Sequence, residues 1–129
     1  MEDKTALSTD RAPKAIGPYS QGIVANGFIF LSGQIPLRPD GTQESGDIRA
    51  QARQCFANMR ALLQSAGADL ANLVKVTVFV TDLGNFAAVN EVYAEFLAGS
   101  VPPARSFVQA AALPRGAGVE IEGIARKPA

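Results

Sequence analysis

Leu73-Val74-Lys75-Val76-Thr77-Val78-Phe79-Val80-Thr81 alternates and is rich in β-branched residues. That is the pattern of a strand with one face buried. Helical patterns flank it on both sides. Upstream, Ile48, Ala52, Cys55/Phe56, Met59, Leu62/Leu63 and Ala66 recur at helical spacing, with Asp47 at the start and Gly67 as a C′ cap. Arg49, Arg53, Asn58, Arg60 and Gln64 mainly take the other face. Downstream, Asp82-Leu83-Gly84-Asn85 turns the chain, and Asn85 is a candidate cap. A second stripe follows: Phe86, Val89/Asn90, Tyr93 and Phe96/Leu97. Asn90 interrupts it, so either the backbone satisfies that side chain at a boundary or a polar partner does.

Further out lie more strands. Ile23-Val24-Ala25 and Phe28-Ile29-Phe30-Leu31 flank Asn26-Gly27, the strongest short hairpin signal, predicting a type I′ turn. Tyr19 and Ser32 fall near its open end, and Gly33 marks either a bulge or a close backbone approach. Pro102 and Pro103 lead stiffly into a strand from Arg105 to about Ala112. Val119 to Ala125 alternates strictly, with Val119, Ile121 and Gly123 on one face and Glu120, Glu122 and Ile124 on the other. Residues 1–13 read as a loosely ordered arm. The sum is one α+β domain over 1–129, a mixed sheet with two helices on one face. The other face needs a cover, and oligomerisation is a natural one.

Composition narrows the chemistry. The 129 residues carry 12 Lys+Arg and 12 Asp+Glu, so no basic footprint for nucleic acid or an anionic membrane is present. With no His, a Ser-His-Asp triad, a Cys-His dyad and a His-ligated metal are excluded. Cys55 stands alone and fits an inert buried thiol. No apolar leader and no run of membrane-span length occurs, so the expected setting is cytoplasmic, without a membrane partner. Arg105 has two readings: a surface ion pair, or a planar fork for a ligand carboxylate. Glu120 and Glu122 likewise fit either a solvated face or a working acid.

Ala15-Ile16-Gly17-Pro18-Tyr19-Ser20-Gln21-Gly22, Ser32-Gly33-Gln34-Ile35-Pro36, Gln51-Ala52, the strand from Val74 to Thr81 with Asp82-Leu83, Asn90, Pro103-Ala104-Arg105-Ser106, Leu113-Pro114 and Val119-Glu120-Ile121-Glu122 jointly resemble the Rid family. Its members are the reactive intermediate deaminases, also called the YjgF or liver perchloric-acid-soluble protein family. The resemblance implies a chorismate-mutase-like fold and a homotrimer with sites in clefts between subunits. It implies cofactor-free and metal-free hydrolysis of enamines and imines, such as 2-aminoacrylate, to 2-keto acids and ammonia. It assigns Arg105 to the substrate carboxylate, Glu120 to the water, Tyr19 and Ser32 to pocket hydroxyls, and Gly33 and Asn90 to the cleft lining. Phe107 departs from the pattern, since many members carry cysteine there. Alternation puts its ring on the Arg105 face, a substrate-binding position where bulk alters the pocket. Alternatives are a non-catalytic sensor of small keto or amino acids, a 2-aminomuconate-type deaminase, and an endoribonuclease or translation inhibitor. The missing His and basic patch speak against the last.

Overall fold

A computed structural model describes residues 3–129. Among these, six strands form one sheet: β1 (Thr5–Leu7), β2 (Gly22–Ala25), β3 (Phe28–Gln34), β4 (Leu73–Val80), β5 (Ala104–Gln109) and β6 (Val119–Arg126). Two α-helices accompany them, α1 (Ile48–Ser65) and α2 (Phe86–Leu97). The strand order is β1-β2-β3-β6-β4-β5. β4 and β5 run parallel through the α2 crossover, and the other neighbours are antiparallel. The helices pack on one face, so the expected α+β architecture is observed.

Local chemistry explains the elements. Asn26 and Gly27 both take positive φ, 50° and 80°, as a type I′ turn requires. The Asp47 carboxylate accepts from the Ala50 N–H and caps α1. The α1 stripe packs on β6 and β3, burying Ala52, Cys55, Phe56, Met59, Leu62 and Leu63 in one core with Ile29 and Leu31 of β3, Val76, Val78 and Val80 of β4, and Val119 and Ile121 of β6. Phe56 is fully buried, stacked on Phe96 at 5.0 Å and edge-on to Tyr93 at 5.7 Å. Removing such a ring typically costs about 3–5 kcal/mol.

Four expectations are corrected. Residues 1–13 are not a loose arm: Thr5–Leu7 pairs with β2, and Ala12 is buried. Gln21 clamps this segment, accepting from the Thr9 N–H and donating to the carbonyls of Thr9 and Pro13. Met1 and Glu2, also in that expectation, lie outside the described residues. Asn58 is buried, not on the polar face of α1: its Nδ2 donates to the Leu37 carbonyl at 2.8 Å, and its Oδ1 accepts from Gln54. Asn85 precedes α2 but its side chain caps nothing, while Asp82 accepts from the Gly84 N–H. β5 stops at Gln109 rather than Ala112, because its partner β4 ends at Val80.

The face away from the helices is uncovered in the single chain, with Phe30 and Val108 both about two-fifths exposed. Among the described residues no helix is long and apolar enough to cross a membrane.

Candidate functional site

Strand alternation sends the singled-out residues to opposite sides of the sheet. Arg105 and Phe107 pair with Val76 and Val78, whose side chains point into the core beneath the helices. Glu120 sits between inward-facing Val119 and Ile121, so it points to the open face.

On the helix side, Arg105 Nη1 donates to Asn90 Oδ1 at 2.6 Å. Asn90 interrupts the α2 stripe because it serves the guanidinium. The guanidinium carbon lies 4.7 Å from the Tyr93 ring centroid, 5.3 Å from Phe107 and 5.7 Å from Phe86. Among the described residues no carboxylate pairs with Arg105, so the surface ion pair does not form. Tyr93 is nine-tenths buried, and its hydroxyl has no hydrogen-bond partner among the described residues. Burial pushes its pKa up, and the Arg105 charge opposes that.

On the open side, Tyr19, Ser32, Gly33 and Glu120 line a cavity of about 600 Å³ with Ile35 and Arg115. Ser32 Oγ donates to the Ser20 carbonyl at 2.6 Å, so its proton is committed to the loop. The Tyr19 hydroxyl accepts from the Ile16 N–H at 3.2 Å and keeps its own proton free to donate. A Cβ at Gly33 would overlap the Glu120 carboxylate, which explains the glycine as a close approach. Burial, and next the Glu122 charge, raise the Glu120 pKa from its ordinary value. The cavity wall is held from outside: Asn58 fixes the carbonyl of Leu37, and Gln43 Nε2 donates to the Arg115 carbonyl at 3.0 Å. Arg115 takes φ 58°, left-handed backbone that a non-glycine residue adopts only when its surroundings hold it.

The structure thus joins Arg105, Asn90 and Phe107 in one cluster, and Tyr19, Ser32, Gly33 and Glu120 in another. It does not join the two within one chain. Cys55 belongs to neither: it is fully buried, and burial pushes its thiol pKa far up. Sequence reasoning missed Phe86 and Tyr93 as companions of Arg105, because both fit an apolar helix stripe. It also missed Gln21 and Asn58, since nothing in a pattern tells a buried amide from a surface one. Arg115 gave no signal beyond its turn.

The architecture defines a class first: an α+β chain with paired helices on one side of a mixed sheet and polar clusters on both sides. The family then follows. Residues 9–127 match the family described as "Endoribonuclease L-PSP". Protein DfrA of Myxococcus xanthus is 52% identical, covering 95% of each chain. The "Putative reactive intermediate deaminase TdcF" of Escherichia coli is 43% identical, covering 98% of this chain and 99% of the relative. Among solved structures, the Rid protein YyfA from Yersinia pestis superposes with a TM-score of 0.93 at 48% identity, over 95% of this chain and 98% of that one. E. coli TdcF with bound serine gives 0.92 at 42% identity, over 96% and 99%. The chain belongs to the Rid/YjgF (L-PSP) family.

Proposed function

We propose that this protein is a deaminase of reactive 2-imino acids, hydrolysing 2-aminoacrylate-type intermediates to 2-keto acids and ammonia. We further propose that the site is completed between copies of the chain in a homotrimer. The observation that carries the reading is Arg105: a guanidinium fixed by Asn90 and three rings, with no acid of its own among the described residues. A substrate carboxylate completes it, and each charge-assisted bond is worth about 1.5–3 kcal/mol.

The chemistry is modest. The enamine first takes a proton on carbon from solvent to become the iminium ion. Water then adds to the iminium carbon and gives one proton to Glu120, leaving a neutral amino alcohol. The amino nitrogen takes that proton back from Glu120. As the C–N bond breaks and ammonia leaves, the hydroxyl oxygen forms the C=O bond and its proton passes to Glu120 and on to solvent, leaving the ketone. Glu120 must be ionised to accept and protonated to return, so a raised pKa brings the two states closer at neutral pH. Tyr19, with its proton free, serves as a hydrogen-bond donor that steadies the nitrogen while Glu120 moves the protons, and Ser32 shapes the loop and offers only lone pairs. Because Arg105 and Glu120 face opposite sides of one sheet, a neighbouring chain supplies the missing half. The uncovered face with Phe30 and Val108 is the surface such an assembly would bury. A cytoplasmic setting suits the single free cysteine.

The name of TdcF and the serine bound in its structure support a small amino-acid-like ligand. The same serine also fits a binding-only protein. Saturable 2-oxobutyrate binding without faster imine loss would favour that reading. The family description names an endoribonuclease, but this chain has no His and no net positive charge. In the deciding test, 2-iminopropanoate is generated in situ and its loss followed with wild type and Arg105→Ala. Acceleration abolished by the substitution is expected. Unchanged acceleration by Arg105→Ala overturns the assignment.

A further inference from the structure

Among the described residues every arginine but one has a partner for its guanidinium. Four pair with carboxylates, Arg11 donates to Gln64, Arg105 donates to Asn90, and Arg126 lies over the Phe28 ring. The exception is Arg115, whose side chain is exposed and whose hydrogen bond from Gln43 Nε2, at 3.0 Å, falls on the backbone carbonyl. Its backbone is left-handed at φ 58°, a conformation that glycine takes freely and a residue with a Cβ takes at a cost. No contact of the side chain within the chain offsets that cost. A strained backbone that carries an unpartnered cation points to a ligand.

The turn that holds Arg115 is braced at both ends. Gln43 grips the Arg115 carbonyl, and Gln51 Oε1 of α1 accepts from the Gly118 N–H at 2.9 Å. Arg115 lines the cavity of about 600 Å³ that contains Glu120, and Lys14, also exposed and without a partner among the described residues, lines it too. Glu120 is the one acid of that lining. Burial and Glu122 set its state, so neither cation is spent on it. A cavity of this size falls in the range of about 300–1,000 Å³ that accepts ligands far larger than a three-carbon acid. A ligand that reacts beside Glu120 and extends along the lining presents its far end to the two cations. An anionic end gains charge-assisted hydrogen bonds there, and an apolar end gains none.

We propose that Arg115, assisted by Lys14, is a subsite for a second carboxylate, so that the favoured substrates are 2-imino dicarboxylic acids, the imines of acidic amino acids. This rests on the deaminase reading above, in which Arg105 of a neighbouring chain takes the carboxylate next to the imine, and it names the substrate class. The braced left-handed turn holds the guanidinium on a fixed backbone, which aims it at the far end of such a ligand.

Two arms test it with the full chain in its native assembly. In the first, the imines of norvaline and glutamate, whose side chains match in carbon count and differ in charge, are generated by amino acid oxidases, and their decay is followed by semicarbazide trapping. In the second, 2-oxopentanoate and 2-oxoglutarate are titrated calorimetrically. Wild type is expected to favour the acidic member about tenfold or more in both arms, the scale of a charge-assisted pair. Arg115→Gly suits the left-handed backbone, so it folds, and it is expected to shrink that ratio at least about fivefold. Arg115→Lys keeps the charge without the fork and is expected to retain part of the ratio. Lys14→Gln is expected to shrink it about twofold. Equal values for the two side chains in wild type overturn the subsite but leave the deaminase reading standing if both imines decay faster. Tighter binding of 2-oxoglutarate without any acceleration keeps the subsite and removes the deaminase reading. A loss in Arg115→Gly that is the same for both members, or a changed oligomeric state with an unchanged ratio, assigns Arg115 to the wall or to a contact between copies and overturns the proposal.

Discussion

Around Arg105, three rings and one amide oxygen hold a cation in place, whereas the state of Glu120 is set by burial and the Glu122 charge, with no hydrogen bond or cation contributing among the described residues. The first cluster is built by packing: Tyr93 and Phe107 touch the core, and the guanidinium inherits their rigidity. The second is built by loops. The segment near Tyr19, the Ser32-Gly33 bend and the Arg115 turn are braced by side-chain hydrogen bonds: Gln21 to the carbonyls of Thr9 and Pro13, Ser32 to that of Ser20, Asn58 to that of Leu37 and Gln43 to that of Arg115. A permanent charge tolerates rings and needs only aiming. A carboxylate that must change protonation state needs a place where neither state is locked. The contrast is one of environment: rings and an amide aim a permanent charge on one face, while burial and a like charge act on a carboxylate on the other.

The sharpest way to break this comparison is to damage one half at a time. Arg105→Ala and Glu120→Gln are each expected to lower imine hydrolysis at least about 100-fold. If the halves belong to different chains, co-refolding the two variants in equal amounts restores about one quarter of wild-type activity, because one pairing in four unites both intact halves. Restoration to nothing means that each chain works alone.

Next in size is Asn58→Ala. It leaves the buried Leu37 carbonyl unpaired and is expected to cost about 2–3 kcal/mol in chemical denaturation. Its kinetic effect should fall on the Glu120 side, leaving the affinity for 2-oxobutyrate at Arg105 little changed. A loss of affinity equal to the loss of rate would mean that the two regions are not independent. Gly33→Ala pushes a methyl into the Glu120 carboxylate. We expect about a tenfold fall in kcat with little change in thermal stability, and an unchanged kcat would show that the carboxylate has room to move.

The smallest effect concerns pH. The folded-state pKa of Glu120 is raised, so its ionised form is disfavoured in the fold. The stability linked to its proton is present below the unfolded pKa and is lost as pH rises through the folded value. Glu120→Gln is therefore expected to melt about 1–3 °C higher than wild type at pH 7, a figure discounted for partial exposure, with the gap closing toward pH 4. A gap that widens on acidification would reverse the sign and point to a cation near the carboxylate.

Most of the fold was legible because its strongest elements carry periodic patterns. β4 and β6 alternate, α1 repeats at helical spacing, and Asn26-Gly27 marks the hairpin. β1 was not legible: Thr5-Ala6-Leu7 is too short for a pattern, and it is ordered by the free edge of β2 and by Gln21. The site was legible as a set of residues but not as two places. Alternation fixes that Arg105 and Phe107 share a face, and that Glu120 and Glu122 share one. Only the register of β5 and β6 against β4 relates those faces, and that depends on pairings between distant segments.

The position of β6 has a consequence for how the chain acquires its structure. β3 and β4 do not pair with each other; each pairs with β6, which comes after both in the chain. During synthesis the β1-β2-β3 meander and the β4-α2-β5 unit emerge first, each with an unpaired strand edge. They become one sheet only when residues 119–126 slot between them. Until then α1, whose stripe packs on β6 as well as β3, has only part of its seat. The nascent chain therefore passes through a stage with two open sheet edges and an unburied helix stripe, and that is its most aggregation-prone moment.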